Sequence, residues 1–454
     1  MYMVDYQQEN IFLKFLCNFY KKTIQDITFV NSKSNYFYMS LLYLLGIKIF
    51  YFLVFIASFF NKKAQLWING RKNWRCGLKS LVAHNEKIIW FHCASLGEFE
   101  QGRPLIEYFK TNYPDFKILL SFFSPSGYEI RKNYENADFI IYLPLDTPGN
   151  AKFFLDTMKP QMIFFIKYEF WYFFIREIGK RKIPLYLVSG IFREKQRFFK
   201  KYGKKSRKML RFFTHFFVQN QVSKNLLNQI GLNNVTITGD TRFDRVYSIA
   251  TNSKDLPLIV KFRNNNLVLV AGSTWPPDED LLIQYMNKNK GRLKLIIAPH
   301  EIHTQHVESI ERKINPDIKT LRYSEANESN VEATDILIID AIGFLSSIYK
   351  YGHMAYIGGG FGKGIHNTLE AATFGLPVLF GPNYHKFQEA ISLVELGGAR
   401  VINGYSQLAD VLDGFVKNSN LIKEAGLIAK NYVEEKRGAT QRIIDQISIK
   451  KQQS

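Results

Sequence analysis

Gly358-Gly359-Gly360-Phe361-Gly362-Lys363-Gly364-Ile365-His366-Asn367-Thr368-Leu369-Glu370-Ala371-Ala372, continued by Gly375-Leu376-Pro377-Val378-Leu379-Phe380-Gly381-Pro382, decides how the chain folds. The apolar run Met354 to Ile357 ahead of it reads as a buried strand, and the glycines as a loop whose backbone lets a ligand approach closely. Asn367 reads as a helix start, offering free N–H groups and a positive dipole end to an anion. Glu370, one turn further on, faces the same mouth, where a carboxylate accepts hydrogen bonds from ribose hydroxyls. Gly375 ends that helix, and Val378 to Phe380 forms the next buried strand. For a single glycine a tight turn is the plainer reading; the whole constellation reads as a nucleotide or anion site in a parallel α/β sheet. Two familiar loops are excluded. A Walker A loop needs Ser or Thr after its Lys, whereas Gly364 follows Lys363, and the strict dinucleotide fingerprint lacks its third glycine in register.

The same rhythm extends in both directions. From Lys87, apolar strands at Ile88–Phe91, Ile118–Ser121, Phe139–Tyr142, Met162–Ile166, Leu185–Val188, Phe216–Val218 and Val235–Thr238 alternate with helical patterns. After the polar stretch Thr251–Leu256 it restarts at Leu267–Ala271, Leu293–Ala298, Ile336–Ile339, Met354–Ile357 and Pro377–Phe380. The expectation is two Rossmann-like domains, 61–250 and 251–454, hinged near residue 250 and facing a central cleft, because ligands of open parallel sheets bind at the carboxyl ends of strands. The first domain opens with its own turn, His92-Cys93-Ala94-Ser95-Leu96-Gly97-Glu98-Phe99-Glu100, which puts Glu98 at a helix start. There it is either a helix-dipole partner worth ~0.3–1 kcal/mol or a general base.

Sixty Lys and Arg against 40 Asp and Glu give the 454 residues a net charge of +20, which favours anionic partners: nucleic acid, an acidic membrane face or a phosphorylated lipid. Three cysteines, Cys17, Cys76 and Cys93, have neither metal-ligand nor redox spacing and point to a reducing compartment. Met39–Phe60 is apolar and aromatic apart from Lys48, and approaches the ~20 residues of a spanning helix. A charge at mid-bilayer is costly, so an interfacial or shallowly inserted helix competes with a span, and a buried core helix is the plainer alternative. Lys62, Lys63, Arg71, Lys72, Arg75 and Lys79 follow it, which places the C-terminal part on the cytoplasmic side. With no small-residue cleavage site the segment is not a signal peptide. Since the motif residues lie beyond Lys87, its deletion is expected to release the chain from membranes and leave activity intact. Residues 1–38 read as a dispensable N-terminal extension and a mis-assigned start.

Two further clusters need weighing. His300, His303 and His306 have helical spacing, but no nearby Cys or paired acid supports a metal. The aromatic run Phe164–Phe174 reads as core, yet Glu169 inside it must find a partner or border a cleft.

Together these pieces resemble the 3-deoxy-D-manno-octulosonic acid (Kdo) transferases of Gram-negative bacteria, membrane-associated glycosyltransferases with the two-domain GT-B fold. The similarity runs from Met39 to the C-terminal region. It rests on Ser95-Leu96-Gly97-Glu98, Ser124-Pro125-Ser126-Gly127, Tyr142-Leu143-Pro144-Leu145 with Asp146-Thr147-Pro148-Gly149, Glu169-Phe170-Trp171, Thr238-Gly239-Asp240-Thr241-Arg242-Phe243-Asp244, Ala271-Gly272-Ser273-Thr274 and the glycine block to Pro382. The resemblance implies Glu98 as general base, with Glu169 and Arg242 as transition-state stabilisers, Arg242 standing where the family commonly has Lys. It implies a CMP site at Pro299 and His300, at Ile342, Gly343 and Phe344, and at Asn367, Thr368, Leu369 and Glu370. His300 stands where the family often has Arg, and Lys167 where an acid is common.

The implied reaction takes a proton from a glucosamine hydroxyl of the lipid A precursor (lipid IVA) onto Glu98 and transfers Kdo from CMP-Kdo with inversion. It needs neither metal nor cofactor and runs at the cytoplasmic face of the cell inner membrane in lipopolysaccharide biosynthesis, with no nucleic acid involved. The rivals are another GT-B transferase using a UDP-sugar and, from a different class, a basic membrane-tethered nucleic-acid-binding protein, for which no reader motif is present.

Overall fold

The computed structural model describes residues 35–81 and 86–447, so the expectation about the N-terminal extension lies almost wholly outside the described residues. Two compact units emerge. One spans Phe243–Arg437, and the other holds the chain up to Arg242 together with the segment from Gly438 onward. This differs from the expected division in two places. The boundary falls before residue 250, ahead of Phe243 in the helix Arg242–Thr251, and the last segment returns to the first unit. Ile443 and Ile447 join that unit's core, and the Arg442 guanidinium donates to the Thr238 carbonyl at 2.7 and 3.0 Å. A pattern of short apolar positions in a charged helix does not say which core it completes.

The first unit's sheet contains β1 (Lys87–Cys93), β2 (Phe116–Phe122), β3 (Phe139–Tyr142), β4 (Met162–Ile166), β5 (Leu185–Gly190), β6 (His215–Val218) and β7 (Val235–Ile237) in the order β3-β2-β1-β4-β5-β6-β7. The second contains β8 (Val268–Thr274), β9 (Lys294–Pro299), β10 (Thr320–Arg322), β11 (Ile336–Ile338), β12 (Met354–Ile357), β13 (Val378–Phe380) and β14 (Ala399–Val401) in the order β10-β11-β9-β8-β12-β13-β14. All pairings among them are parallel. Central strands such as β4 and β9 are buried throughout, as unbroken apolar runs require when helices cover both faces. The sequence reading missed β10 and β14. Both are three-residue edge strands that are not fully buried, so they carry no apolar run to find.

The helix Asn35–Ala57 is part of the first unit rather than a detachable anchor. Ile47, Phe50, Val54 and Ala57, spaced by three and four, are buried in its core, with the Phe50 ring 5.5 Å from Trp67. Tyr43 donates its hydroxyl to Asp146 at 2.6 Å, and Asp146 also accepts the backbone N–H of Phe173 and Phe174 at the start of the helix Tyr172–Lys180. Burial pushes the Asp146 carboxyl up to about 6 in spite of those three donors. At ~1.5–3 kcal/mol for each buried Ile, Phe or Val, removing the helix would uncover a core. The expectation that it can be deleted harmlessly is therefore corrected. Arg71 is corrected as well: it is buried, stacks 3.9 Å over Trp67 and donates to the carbonyls of Trp67, Phe123 and Leu143, so it is not part of a membrane-facing basic flank. The opposite face of the helix exposes Leu41, Leu45, Ile49, Phe52, Phe55 and Ile56.

Candidate active site

Strand order places the sites. The strand order turns back between β1 and β4 in the first sheet and between β8 and β12 in the second, and crevices for ligands open at the carboxyl ends of such strands. Glu98 follows β1 and Glu169 follows β4, so both carboxylates flank the first reversal point. One thiol registers both: burial raises the Cys93 pKa, with Glu98, Glu169 and Glu100 adding to the effect.

Glu98 is the third residue of the helix Leu96–Asn112, whose N-cap is Ser95. Ser95-Leu96-Gly97-Glu98 has the spacing of a capping box, but no side-chain cap forms; the Ser95 hydroxyl donates instead to the Glu98 carboxylate. The acid is therefore not spent on the helix's backbone N–H groups.

Glu169 is 1% exposed, so its charge needs donors. The Trp171 indole N–H donates to its Oε2 at 2.7 Å, and His92 Nε2 lies 3.3 Å from the same oxygen. His92 is fully buried and its Nδ1 is 2.8 Å from the Ser121 hydroxyl, which accepts the Trp90 indole N–H at 2.7 Å. The Trp171 indole N–H also lies 2.9 Å from His92 Nε2, and since indoles only donate, Trp90, Ser121, His92, Trp171 and Glu169 form one connected buried cluster. The sequence reading missed His92 as a partner, because the contact crosses from β1 to the loop after β4.

Arg242 is tied to its own segment. Its guanidinium contacts Asp240 at 2.8 and 2.9 Å, and Asp240 also accepts Gln101 Nε2 at 3.1 Å. Burial alone would raise the Asp240 carboxyl, but the charge and hydrogen bonds of Arg242, helped by Gln101, hold it below its ordinary value. Gln101 lies on the helix that carries Glu98, so one helix braces both residues. Lys167, in the left-handed region at φ 70°, stores strain in the turn that leads from β4 to Glu169, and Ser273, at φ 54°, does so near the end of β8.

In the second unit, Pro299 ends β9 with His300 next to it, Ile342-Gly343-Phe344 lies beyond β11, and the glycine block follows β12, all at the carboxyl edge. Contacts join them. The His300 ring stacks on Trp275, at 4.7 Å, and on His366, at 4.6 Å, and the Trp275 indole N–H lies 3.1 Å from His366 Nε2. Ser346 donates to Glu370 Oε2 at 2.7 Å and Asn367 Nδ2 to its Oε1 at 2.9 Å. Asn367 is two residues ahead of the helix, which is Leu369–Thr373, and its side-chain oxygen accepts the Leu369 N–H at 3.1 Å. Thr368 is buried, while Ile342 is 69% exposed. Burial, with His300 beside it, pushes His366 down to about 4, and burial lowers His300 too, so both rings are neutral near pH 7 and neither replaces an Arg charge in the free enzyme.

The reading that the glycines make room for a ligand is corrected at two positions. A Cβ on Gly358 would meet the Ser273 carbonyl oxygen at 2.2 Å, and one on Gly360 would meet the Gly381 backbone at 2.5 Å, so neighbouring chain fills those spaces. Asp278, which the sequence reading did not single out, accepts the Gly359 N–H and the Tyr356 hydroxyl, each at 2.9 Å, and pins the loop from below. Of the three histidines at helical spacing, His300 joins the stack, while His306 pairs with Glu279 at 3.0 Å and lies 5.8 Å from the His303 ring.

Residues 71–245, the stretch that carries Glu98, Glu169 and Arg242, match the family described as 3-deoxy-D-manno-octulosonic-acid transferase (kdotransferase). A 3-deoxy-D-manno-octulosonic acid transferase of Rickettsia bellii (strain RML369-C) is 26% identical over 409 residues, covering 88% of this chain and 93% of its own. That of Haemophilus influenzae (strain ATCC 51907 / DSM 11121 / KW20 / Rd) is 25% identical over 374 residues, covering 79% and 86%. The solved UDP-GlcNAc 2-epimerase of Neisseria meningitidis, bound to UDP-GlcNAc, superposes with a TM-score of 0.54 at 13% identity over 79% of this chain and 98% of its own, a likeness of fold alone. With two parallel sheets of the GT-B class, a family match over residues 71–245, and relatives named as Kdo transferases aligned along most of their length, the chain is similar to the Kdo transferases, glycosyltransferases, over most of its residues.

Proposed function

We propose that this enzyme transfers Kdo from CMP-Kdo to a glucosamine hydroxyl of a lipid A precursor, lipid IVA, with inversion and without a divalent metal, in lipopolysaccharide biosynthesis. The observation that carries this reading is the pair of carboxylates at the first reversal point, one held by a single serine hydroxyl and one held by buried donors. Glu98 takes the acceptor proton as the oxygen attacks the anomeric carbon; the bond from that carbon to the CMP phosphate breaks, and CMP leaves as a monophosphate. Glu169, kept in place by Trp171 and His92, faces the positive charge that develops on the sugar, and Arg242 the negative charge on the leaving group. In the second unit, Glu370 holds the ribose, with Pro299, His300, the Ile342–Phe344 loop, Asn367, Thr368 and Leu369 around the nucleotide.

Calorimetry tests the donor. CMP is expected to bind with chelator present, UDP much more weakly, and Glu370→Ala to weaken CMP by roughly 1.5–3 kcal/mol, the worth of hydrogen bonds to a charged group. Equal affinity for both nucleotides, or a need for Mg²⁺, sinks the donor assignment and favours a UDP-sugar.

The proposed location is the cytoplasmic face of the inner membrane. From Tyr43 to Ala57 the helix touches its own domain, so lipid does not surround it, and a helix lying in the interface suits that better than a span. Replacing the exposed Leu45, Phe52 and Phe55 by Ser is expected to lower binding to lipid vesicles by more than about 100-fold without changing thermal stability. Unchanged vesicle binding would remove that face from the membrane contact.

A further inference from the structure

The nineteen residues from Arg193 to Arg211 contain ten Lys or Arg and one acid, Glu194, a net +9 in a chain whose total is +20. This segment leaves the carboxyl end of β5, the neighbour of β4, through two short turns at Arg197–Phe199 and Lys201–Gly203 and the helix Lys204–Leu210. Its aromatic side is used. Phe192 and Phe198 are buried and pack on Phe170, the residue after Glu169, with ring centroids 6.0 and 5.0 Å apart. Arg207 turns back to the carbonyls of Phe198 and Lys200 at 3.1 and 3.3 Å. Arg193, Lys195, Lys201, Lys204, Lys208 and Arg211 are exposed.

A merely solvated face interleaves both signs, as the helix Ser419–Glu435 does with its Lys and Glu. Crowding one sign onto one short segment costs repulsion that an anionic partner relieves. The kind of partner follows from what else lies at this edge. Phe50 of the N-terminal helix is 6.3 Å from Phe123, just beyond β2, and Phe123 is 4.6 Å from Trp171, just beyond β4. The exposed apolar helix, the basic segment and Glu169 thus belong to the same edge of one sheet. Apolar area beside concentrated positive charge suits a bilayer with phosphate headgroups, whereas a nucleic acid would leave the apolar helix unused.

We propose that Arg193–Arg211 is an electrostatic docking surface for an anionic phospholipid bilayer, holding the carboxyl edge of the first sheet against the headgroups. The membrane contact stands independently of the proposed reaction; its consequence, presentation of a phosphorylated lipid acceptor at the Glu98 and Glu169 edge, rests on that reading.

The test is cosedimentation of the full chain with phosphatidylcholine vesicles, with and without phosphatidylglycerol, over a salt series. Lys195, Lys201, Lys204 and Arg211 changed together to Gln are compared with a control in which Lys319, Lys417, Lys423 and Lys430 of the second unit are changed to Gln. The first set is expected to lose about 100-fold or more in binding to phosphatidylglycerol vesicles, with little change on phosphatidylcholine. Its unfolding temperature and its transfer to detergent-dispersed acceptor should match wild type, and the control should lose little. Equal losses in the two sets, unchanged binding in the first, or preference of the wild type for duplex RNA over anionic vesicles in direct competition would overturn the proposal. Vesicle binding that behaves as expected in an enzyme unable to transfer Kdo would overturn the reaction and leave the surface standing.

Discussion

Glu98→Gln is expected to cut turnover by ~10²–10⁴-fold, the usual cost of losing a general base, while CMP affinity stays near wild type. The amide keeps the size of the carboxylate and can still accept the Ser95 hydroxyl, so the start of the helix Leu96–Asn112 keeps its shape. What is lost is the capacity to take a proton. Three readouts separate the alternatives: steady-state turnover, CMP titration and thermal unfolding. Near wild-type turnover with a small loss of stability would return Glu98 to the role of an acid beside a helix dipole, worth ~0.3–1 kcal/mol. The absence of a side-chain cap at Ser95 argues for the catalytic outcome, because a structural acid at this position would be expected to close the box onto the backbone.

Arg242→Met should have two effects at once, about 3 kcal/mol of lost stability and a fall in turnover of ~10²-fold or more. The first arises because Asp240 is 5% exposed and would keep its charge without its guanidinium, leaving only Gln101 and backbone donors. The sign of the pH dependence follows. Asp240 titrates below its ordinary 3.8 in the native state, so the pair's contribution is fully present above about pH 4 and is lost as pH falls through the lower native value. The variant should therefore lose stability most clearly at neutral pH and converge with wild type in acid. Adding Asp240→Asn to Arg242→Met removes the stranded charge and should recover most of the stability. Turnover should not recover if Arg242 acts on the leaving group; recovery of both would make Arg242 a brace and nothing more. Arg242→Lys should keep most of both, since the positive charge remains.

The division between what was legible and what was not follows contact range. Apolar runs of three to six residues bounded by turn residues marked the central strands, because a strand covered by helices on both faces is apolar at nearly every position. Edge strands β10 and β14 escaped, having no such requirement. Glu98 and Glu370 were visible as acids beside glycine turns, a local pattern. His92, Gln101 and Asp278 were not visible as partners, since each acts on a residue brought near by another element.

By itself the sequence determined two Rossmann-like units, an apolar N-terminal helix, the resemblance to the Kdo transferases and the positions of the acids, all of which are written in periodicities and motifs within a few residues of each other. Only the tertiary structure decided that neighbouring backbone fills the space at Gly358 and Gly360, that the last helix completes the first unit's core, and that Arg71 is spent inside the domain. It also decided that the N-terminal helix is half core and half exposed, and that a basic segment shares an edge with Glu169. The physical reason is common to all of these. Glycine, arginine and an apolar helix each have several stable surroundings, and which one applies depends on what the chain brings against them from far away in sequence, where burial and hydrogen bonding outweigh local preference.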